Sequence, residues 1–434
     1  MSKSKFLIVL IFVLAALGSV SAVAAQEVTD LSLWVFVNDH GDFLTHQAER
    51  WNEVNPDRPI SITYTFVEYT ALHDNLLAAL LTGTGAPDLA DIEISKFATF
   101  TKGDIHLLDL TEVVDPYRAD LIETRLAPYQ VSGAQYGIDY HLGAFLMYYN
   151  SEVMEAAGVN PDDIVTWDDY VEAGLQVTRD TDGDGNVDVH MTTVEAGDVF
   201  TARSLMLTNG GGAYNADGEL ILDSPENIEA LQFMQDLVRV HGIATAAPGG
   251  NHHSPDYFAA LAAGQYASVW MPQWYMIRFP NSMADLSGKV IVRPMPIWEE
   301  GGYTTTMGGG TGTAVTDQTP EAERQLAMEF LAFAKLTYEA NVELWTDLGF
   351  DPMRPDVYED PALLEPSEFW SGEIPFEVLL SELGNVAPEY TGPQYPEIAT
   401  IMRTTAMYDL IENGVPPEEV IANMVAELEM MAAS

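Results

Sequence analysis

The chain contains no cysteine. No disulfide framework can staple it, so the fold must rest on apolar cores, which 434 residues are enough to build. Lipid anchoring through a cysteine beside an export signal is excluded on the same ground. Cations are scarce too: Lys+Arg number 18 against 66 Asp+Glu, a formal net charge of −48. Such a surface repels phosphate backbones and anionic lipids, which argues against nucleic acid and membrane-surface partners. It would suit a cationic ligand, but solubility at high salt, where screening removes self-repulsion, is the simpler reading. Beyond residue 17 no segment is apolar for long enough to cross a membrane. The motifs G-x-S-x-G, H-E-x-x-H and G-x-x-x-x-G-K-[ST] are all missing. Carboxylates are so abundant that a pair suited to glycoside hydrolysis could always be found, so their presence does not point to an enzyme.

What is present begins at the N-terminus. Lys3 and Lys5 precede an unbroken apolar stretch over 6–17, then small residues and Ala22-Val23-Ala24. This is the pattern of a signal peptide over 1–25, cleaved after Ala24 or Ala25, with an apolar run too short for a comfortable span. The remainder is expected to be exported, periplasmic or extracellular, soluble and free of any lipid anchor.

Residues 31–37 read as a strand, 38–42 as a polar turn, and 43–55 as a helix on the spacing of Phe43, Leu44, Ala48 and Trp51. A strand over 60–67, a helix over 71–81 stopped by Gly83-Thr84-Gly85, and a strand over 87–92 follow. Strands alternating with helices predict an α/β fold whose ligands sit beyond the carboxyl ends of the strands. That singles out the loops 38–42 and 93–97. A second unit begins near Tyr136, with an apolar strand over 144–150. Helices are predicted over 151–157, 167–178, 200–208, 225–241 and 255–263, before a short strand at 267–271. A glycine-rich run at 307–312 precedes a long helix over 320–337, and the C-terminal part is helical over 395–413 and 417–431. No internal repeat or low-complexity linker is found, so two lobes sharing more than one crossover are expected.

Several short motifs recur in a telling order. They are the strand with Trp34, Gly83-Thr84-Gly85-Ala86-Pro87-Asp88-Leu89, Leu107-Leu108-Asp109-Leu110, Tyr136-Gly137-Ile138 and Tyr148-Tyr149-Asn150. Thr166-Trp167-Asp168-Asp169-Tyr170, Asn209-Gly210-Gly211, Ala213-Tyr214-Asn215 with Gly218, Trp274 and Gly308-Gly309-Gly310 follow. Each is weak alone; their order over almost the whole length resembles the extracellular solute-binding proteins of sugar ABC importers, the group that includes maltose-binding protein. The resemblance implies two α/β lobes joined by hinge crossovers, with a helical C-terminal part, closing over a sugar that is passed to membrane permease subunits. It implies a monomer without enzymatic activity. The expected lobes are 26–137 with 304–350, and 138–303 with 351–434, with crossovers near Ile138, Ile297 and Phe350. Several separated aromatics favour an oligosaccharide. The alternatives are a receptor for a cationic ligand such as a polyamine on the same fold, and a secreted glycoside hydrolase.

The expected ligand-binding residues follow from the loops and the resemblance together. Asn38, Asp39, Asp42, Glu93, Ser95 and Lys96 come from the first lobe; Asp139, Tyr140, His141, Trp274 and Tyr395 come from the other. Gly309 and Gly310 would let backbone approach the ligand. A sugar offers weakly apolar faces and a hydrogen-bonding rim, so a site for it pairs aromatic platforms with short polar groups. Trp274 matches the family position that stacks on sugar, whereas Trp270 lies within the strand and reads as core. Tyr395 reads equally well as platform or core. Lys96 stands out because only Lys102, Lys289 and Lys335 follow it. His141 lacks a His or Cys partner at ligand spacing, and the neighbours His252 and His253 would diverge on any regular element, so neither is read as a metal site. Asp180, Asp182, Asp184 and Asp188 resemble the front of a calcium loop, but Met191 replaces the closing glutamate, and a surface turn is favoured over a structural calcium site. No catalytic residue and no cofactor is expected.

Overall fold

The computed structural model describes residues 28–141 and 143–432. The expected signal peptide lies outside them. Leu31, Leu33 and Val35 point alternately inward from strand β1 (Thr29–Val35), the period-2 pattern of a strand packed on a helical layer. Helix α1 (Asn38–Val54) follows at once, burying Phe43, Leu44, Ala48 and Trp51 on one face. The polar turn expected at 38–42 is therefore the helix's first turn. Asp39 sits there, where an acid complements the N-terminal dipole, and Gly41 leaves room for the Tyr64 ring. Strand β2 (Ile60–Phe66), helix α2 (Tyr69–Thr82) and strand β3 (Leu89–Glu93) complete the alternation. The predicted loop after β3 is helix α3 (Ile94–Phe100), capped by Glu93, whose carboxylate accepts the Ser95 backbone N–H at 3.0 Å.

The first sheet runs β2–β1–β3, parallel, and is extended antiparallel by Thr311–Val315 and then by β4 (Ile138–Asp139). The second lobe is built on β5 (Phe145–Asn150), whose six residues are all buried. Phe145, Met147 and Tyr149 face one core, where Trp167 of helix α4 (Trp167–Val177) and Ala202 and Leu205 of helix α5 (Phe200–Thr208) pack. Leu146 and Tyr148 face another, with Tyr257, Tyr275 and Phe279. A strand covered on both sides reads as a continuous apolar run. Strands β6 (Ser268–Pro272) and β7 (Val290–Arg293) flank it antiparallel. Trp270 is buried among the core aromatics, its indole N–H donating to Ser204 Oγ at 3.1 Å. Strand β8 (Thr311–Val315) returns the chain to the first sheet, and helices α6 (Glu321–Leu336) and α7 (Tyr338–Leu348) pack on that lobe.

Buried polar groups tie together three segments distant in the chain, around Asp139, Gly308 and Asp351. Arg125 donates to Asp139 Oδ2 at 2.8 Å and to Asp351 Oδ2 at 2.6 Å, so one guanidinium holds the first and third segments together. Lys335 donates to the Ile138 carbonyl and to Thr313 Oγ1, with its ammonium over the Tyr140 ring. Gly308 N–H donates to the Gly143 carbonyl, joining the first and second. Among the described residues no helix is long and apolar enough to cross a membrane.

Candidate ligand-binding cleft

The carboxyl ends of β1 and β3 lead into α1 and α3, and these present the first-lobe wall. Glu93 accepts the Tyr69 hydroxyl at 3.0 Å as well as the Ser95 amide and hydroxyl, and Lys96 lies 5.9 Å from the Tyr69 ring centre. Opposite stand residues of α5, of the loop after Val194, and of helix α8 (Tyr395–Ile401), which packs beside α3. Arg203 forms a two-pronged pair with Glu389, and Tyr395 donates to the same carboxylate at 2.7 Å. Arg403 donates to Asp198 at 3.0 Å and reaches across the cleft to 5.9 Å from the Tyr69 ring. The Glu93 charge acts on Arg203, Arg403 and Tyr395 from the other lobe. Burial, with Glu93 adding, drives the Tyr69 hydroxyl far above its ordinary range, so it stays a neutral donor. Burial holds the His253 ring down to about 4, hence neutral at physiological pH.

Trp274 lies where the two lobes meet. It is half-buried and packs against the cores of both lobes. Its N–H donates to the Gly308 carbonyl at 2.9 Å, so only the ring surface is left for a ligand. His253 lies nearly parallel to it, with centroids 5.5 Å apart, and Phe200 meets it edge-on. Gly309 and Gly310, at φ of 124° and 158°, run beside the indole and the His141 carbonyl in a conformation that favours glycine. At the far end Asp39 accepts Asn281 Nδ2 at 3.2 Å and faces Arg278 at 3.8 Å, a second contact between the lobes.

The structure thus groups Glu93, Ser95 and Lys96 around Tyr69, sets Trp274 beside Gly309 and Gly310, places Tyr395 where the Glu93 charge acts on it, and puts Asp39 against Arg278. Others of the expected set lie elsewhere. Asn38 is exposed, and Asp42 faces outward, accepting the Tyr64 hydroxyl at 2.7 Å. Asp139 is spent on Arg125, and Tyr140 stacks on His40 at 4.2 Å within the first-lobe core. His141 is buried against Phe350, beneath Trp274. The resemblance implies that these three face the cleft; the short strand β4, pairing with β8, carries them inward instead. Sequence reasoning missed Tyr69, Asp198, Arg203, His253, Arg278, Glu389 and Arg403. The scarcity of cations was the one available signal: three of the few arginines lie here, each facing an acid. The loop of Asp180, Asp182, Asp184 and Asp188 is an exposed turn in which Asp180 accepts the N–H groups of Asp182, Gly183 and Gly185. Asp188 accepts Thr181, and Asp184 accepts Asn186. Asp180, Asp182 and Asp188 cluster, and Asp184 is not among them.

Comparison with known proteins places this architecture. Residues 38–337 match the family model of the bacterial extracellular solute-binding protein. An arabinooligosaccharide-binding protein of Halalkalibacterium halodurans is 42% identical over 93% of this chain and 90% of its own. One of the same description from Bacillus subtilis is 37% identical over 98% and 97%. Among solved structures, the maltose-bound MalE3 of T. maritima superposes with a TM-score of 0.74 at 22% identity, covering 93% of this chain and 100% of its own. A transporter-associated binding protein of B. animalis subsp. lactis, in complex with beta-1,6-galactobiose, reaches 0.76 at 21%, covering 93% and 97%. The fold is therefore the expected two-lobed α/β binding-protein fold, and the chain belongs to the bacterial extracellular solute-binding protein family as a binding protein, not an enzyme.

Proposed function

We propose that this protein captures an arabino-oligosaccharide between two closing lobes and delivers it to the permease subunits of an ABC importer. The observation that carries the reading is the cleft itself. Aromatic surfaces from Trp274 and Tyr395 lie among carboxylate–arginine pairs drawn from one lobe or both. An aromatic face takes the apolar side of a sugar ring, and the flanking pairs offer donors and acceptors to its hydroxyls. The near full-length likeness to two arabinooligosaccharide-binding proteins supports the same ligand class.

The cleft disfavours the polyamine alternative. Asp39, Asp198 and Glu389 each face an arginine already, so no two of these acids are free to enclose an ammonium group. We place the crossovers at 140–144, 307–310 and 349–353, between the pairing of β4 with β8 and that of Thr305–Thr306 with Val386–Ala387. The lobes are then 26–139 with 311–348, and 145–306 with 354–432. Asn38, Asp42, Asp139, Tyr140 and His141 support the cleft from outside or beneath it. The protein is exported by a cleaved signal peptide and works as a soluble monomer.

Ligand touching both walls favours the closed form by its differential affinity, and the closed form presents both lobes to the permease. Calorimetry with arabinotriose, maltotriose and spermidine tests the proposal. Binding of arabinotriose well above the other two is expected; tight spermidine binding without it would overturn the reading. X-ray scattering should show compaction at saturating arabinotriose.

A further inference from the structure

Besides Trp274, the second-lobe wall carries a cluster that sugar capture leaves unexplained. Ligand atoms of Glu195, Asp198 and His253 lie within 4.8 Å of one another. Glu195 is buried, while Asp198 and His253 are half-buried, so the cluster opens toward the cleft on one side. The Glu195 carboxylate accepts the N–H groups of His252 at 3.1 Å and Thr201 at 3.2 Å, and no lysine or arginine pairs with it among the described residues. Asp198 spends Oδ1 on Val199 N–H and Arg403. Neither ring nitrogen of His253 has a hydrogen-bond partner among the described residues.

A separate feature points into the same spot. His252 is 1% exposed and uses Nε2 on Thr193 Oγ1 at 2.8 Å. Its Nδ1 is buried without a hydrogen-bond partner, 3.6 Å from Glu195 Oε1. A buried ring nitrogen left unpaired beside a carboxylate costs free energy unless something meets it. The two neighbouring histidines can serve one site because they lie in the irregular turn before Ser254, the cap of helix Pro255–Ala262. The divergence expected of adjacent side chains holds only on a regular element.

We propose that Glu195, Asp198 and His253 hold a divalent transition-metal ion in the cleft wall, beside the unpaired His252 Nδ1. Two carboxylates with one or two imidazoles suit zinc, manganese or cobalt, whereas calcium and magnesium prefer an all-oxygen set. The proposal goes beyond sugar capture and does not depend on it, because the ion binds whether or not the cleft holds a ligand.

The test uses the full exported chain, stripped with EDTA and titrated with CoCl2, read by visible absorption and by metal analysis after dialysis. One cobalt per chain with d–d bands is expected. His253→Gln and Asp198→Asn should each weaken it at least about tenfold, the lower end of what even outer-shell partners contribute. Asp182→Asn, in the exposed 180–188 turn, should change nothing. Melting curves confirm that each variant is folded. No retained metal, equal retention in both cleft variants, or loss in Asp182→Asn would each overturn the proposal. Arabinotriose affinity measured in EDTA is a separate readout, so a failure of sugar binding cannot be mistaken for a failure here.

Discussion

The indole N–H of Trp274 is bonded to the Gly308 carbonyl, so the residue that would meet a ligand's ring face is tied directly to the crossover proposed at 307–310. A ligand pressing on the indole therefore acts on the hinge. Trp274→Ala removes the platform and should lower sugar affinity by on the order of 2 kcal/mol or more, about thirtyfold. Because the ring also packs against both cores, roughly 3 kcal/mol of stability should go with it. Trp274→Phe keeps a ring face but loses the hydrogen bond, about 1 kcal/mol. Affinity and melting temperature on both variants separate the roles; a Trp274→Ala protein that melts early yet binds normally would make this a core residue only.

Asp39 meets Arg278 and Asn281 across the mouth of the cleft, and the pair is partly exposed. Exposed ion pairs contribute about 0.2–1 kcal/mol. Arg278→Ala should thus speed ligand release by about 1.4- to fivefold while leaving the association rate nearly unchanged. Stopped-flow measurement decides it, and the effect should shrink at high salt.

Arg125 is buried with both of its carboxylate partners, Asp139 and Asp351, beside it. Removing the guanidinium leaves two carboxylates without it in a place water does not reach. Arg125→Met should cost about 3–5 kcal/mol in urea unfolding. Arg125→Lys, which cannot bridge both acids with one planar fork, should recover only part of that.

Burial holds the Lys335 ammonium down to about 7, against an ordinary value near 10.5, although Asp91 and Asp139 pull the other way. Between these two values the unfolded chain binds a proton that the folded chain lacks, so stability rises with pH across that window. Below about 7 both states carry the proton and the effect is flat. The urea midpoint of the wild type relative to Lys335→Met should therefore climb from pH 7 toward pH 10 and stay level from pH 5 to pH 7. A constant difference would mean that folding leaves this ammonium unperturbed.

A net charge of −48 repels itself most at low ionic strength. The screening length falls from about 10 Å at 0.1 M salt to about 3 Å at 1 M. The melting temperature should rise by several degrees between these concentrations, on the order of 2–4 °C for each kcal/mol relieved in a lobe of about 200 residues. Charge-neutralising substitutions on the surface should flatten the curve.

The sequence by itself determined the lobes' internal structure. The alternation of Leu31, Leu33 and Val35, the helical spacing of Phe43 to Trp51, and the apolar run of β5 each set an element, because local burial pattern and backbone period coincide there. Motif order added the family. Boundaries at strand ends were less legible. Asn38 to Asp42 read as a turn, yet Asp39 at a helix start and the space Gly41 leaves for Tyr64 favour one more turn of α1.

Only the tertiary structure decided which polar residues share the cleft. Arg203 meets Glu389 across 186 positions, Arg403 meets Asp198 across 205, and Asp39 reaches Asn281 across 242. No local period encodes such pairs; the first two form within the second lobe and the third between the lobes, all by long-range packing. The pairing of β4 with β8 turned Asp139 and Tyr140 inward, where Arg125 bonds the one and the Lys335 ammonium covers the other. Composition fixed that acids would be everywhere, and long-range packing chose the few that face a cation.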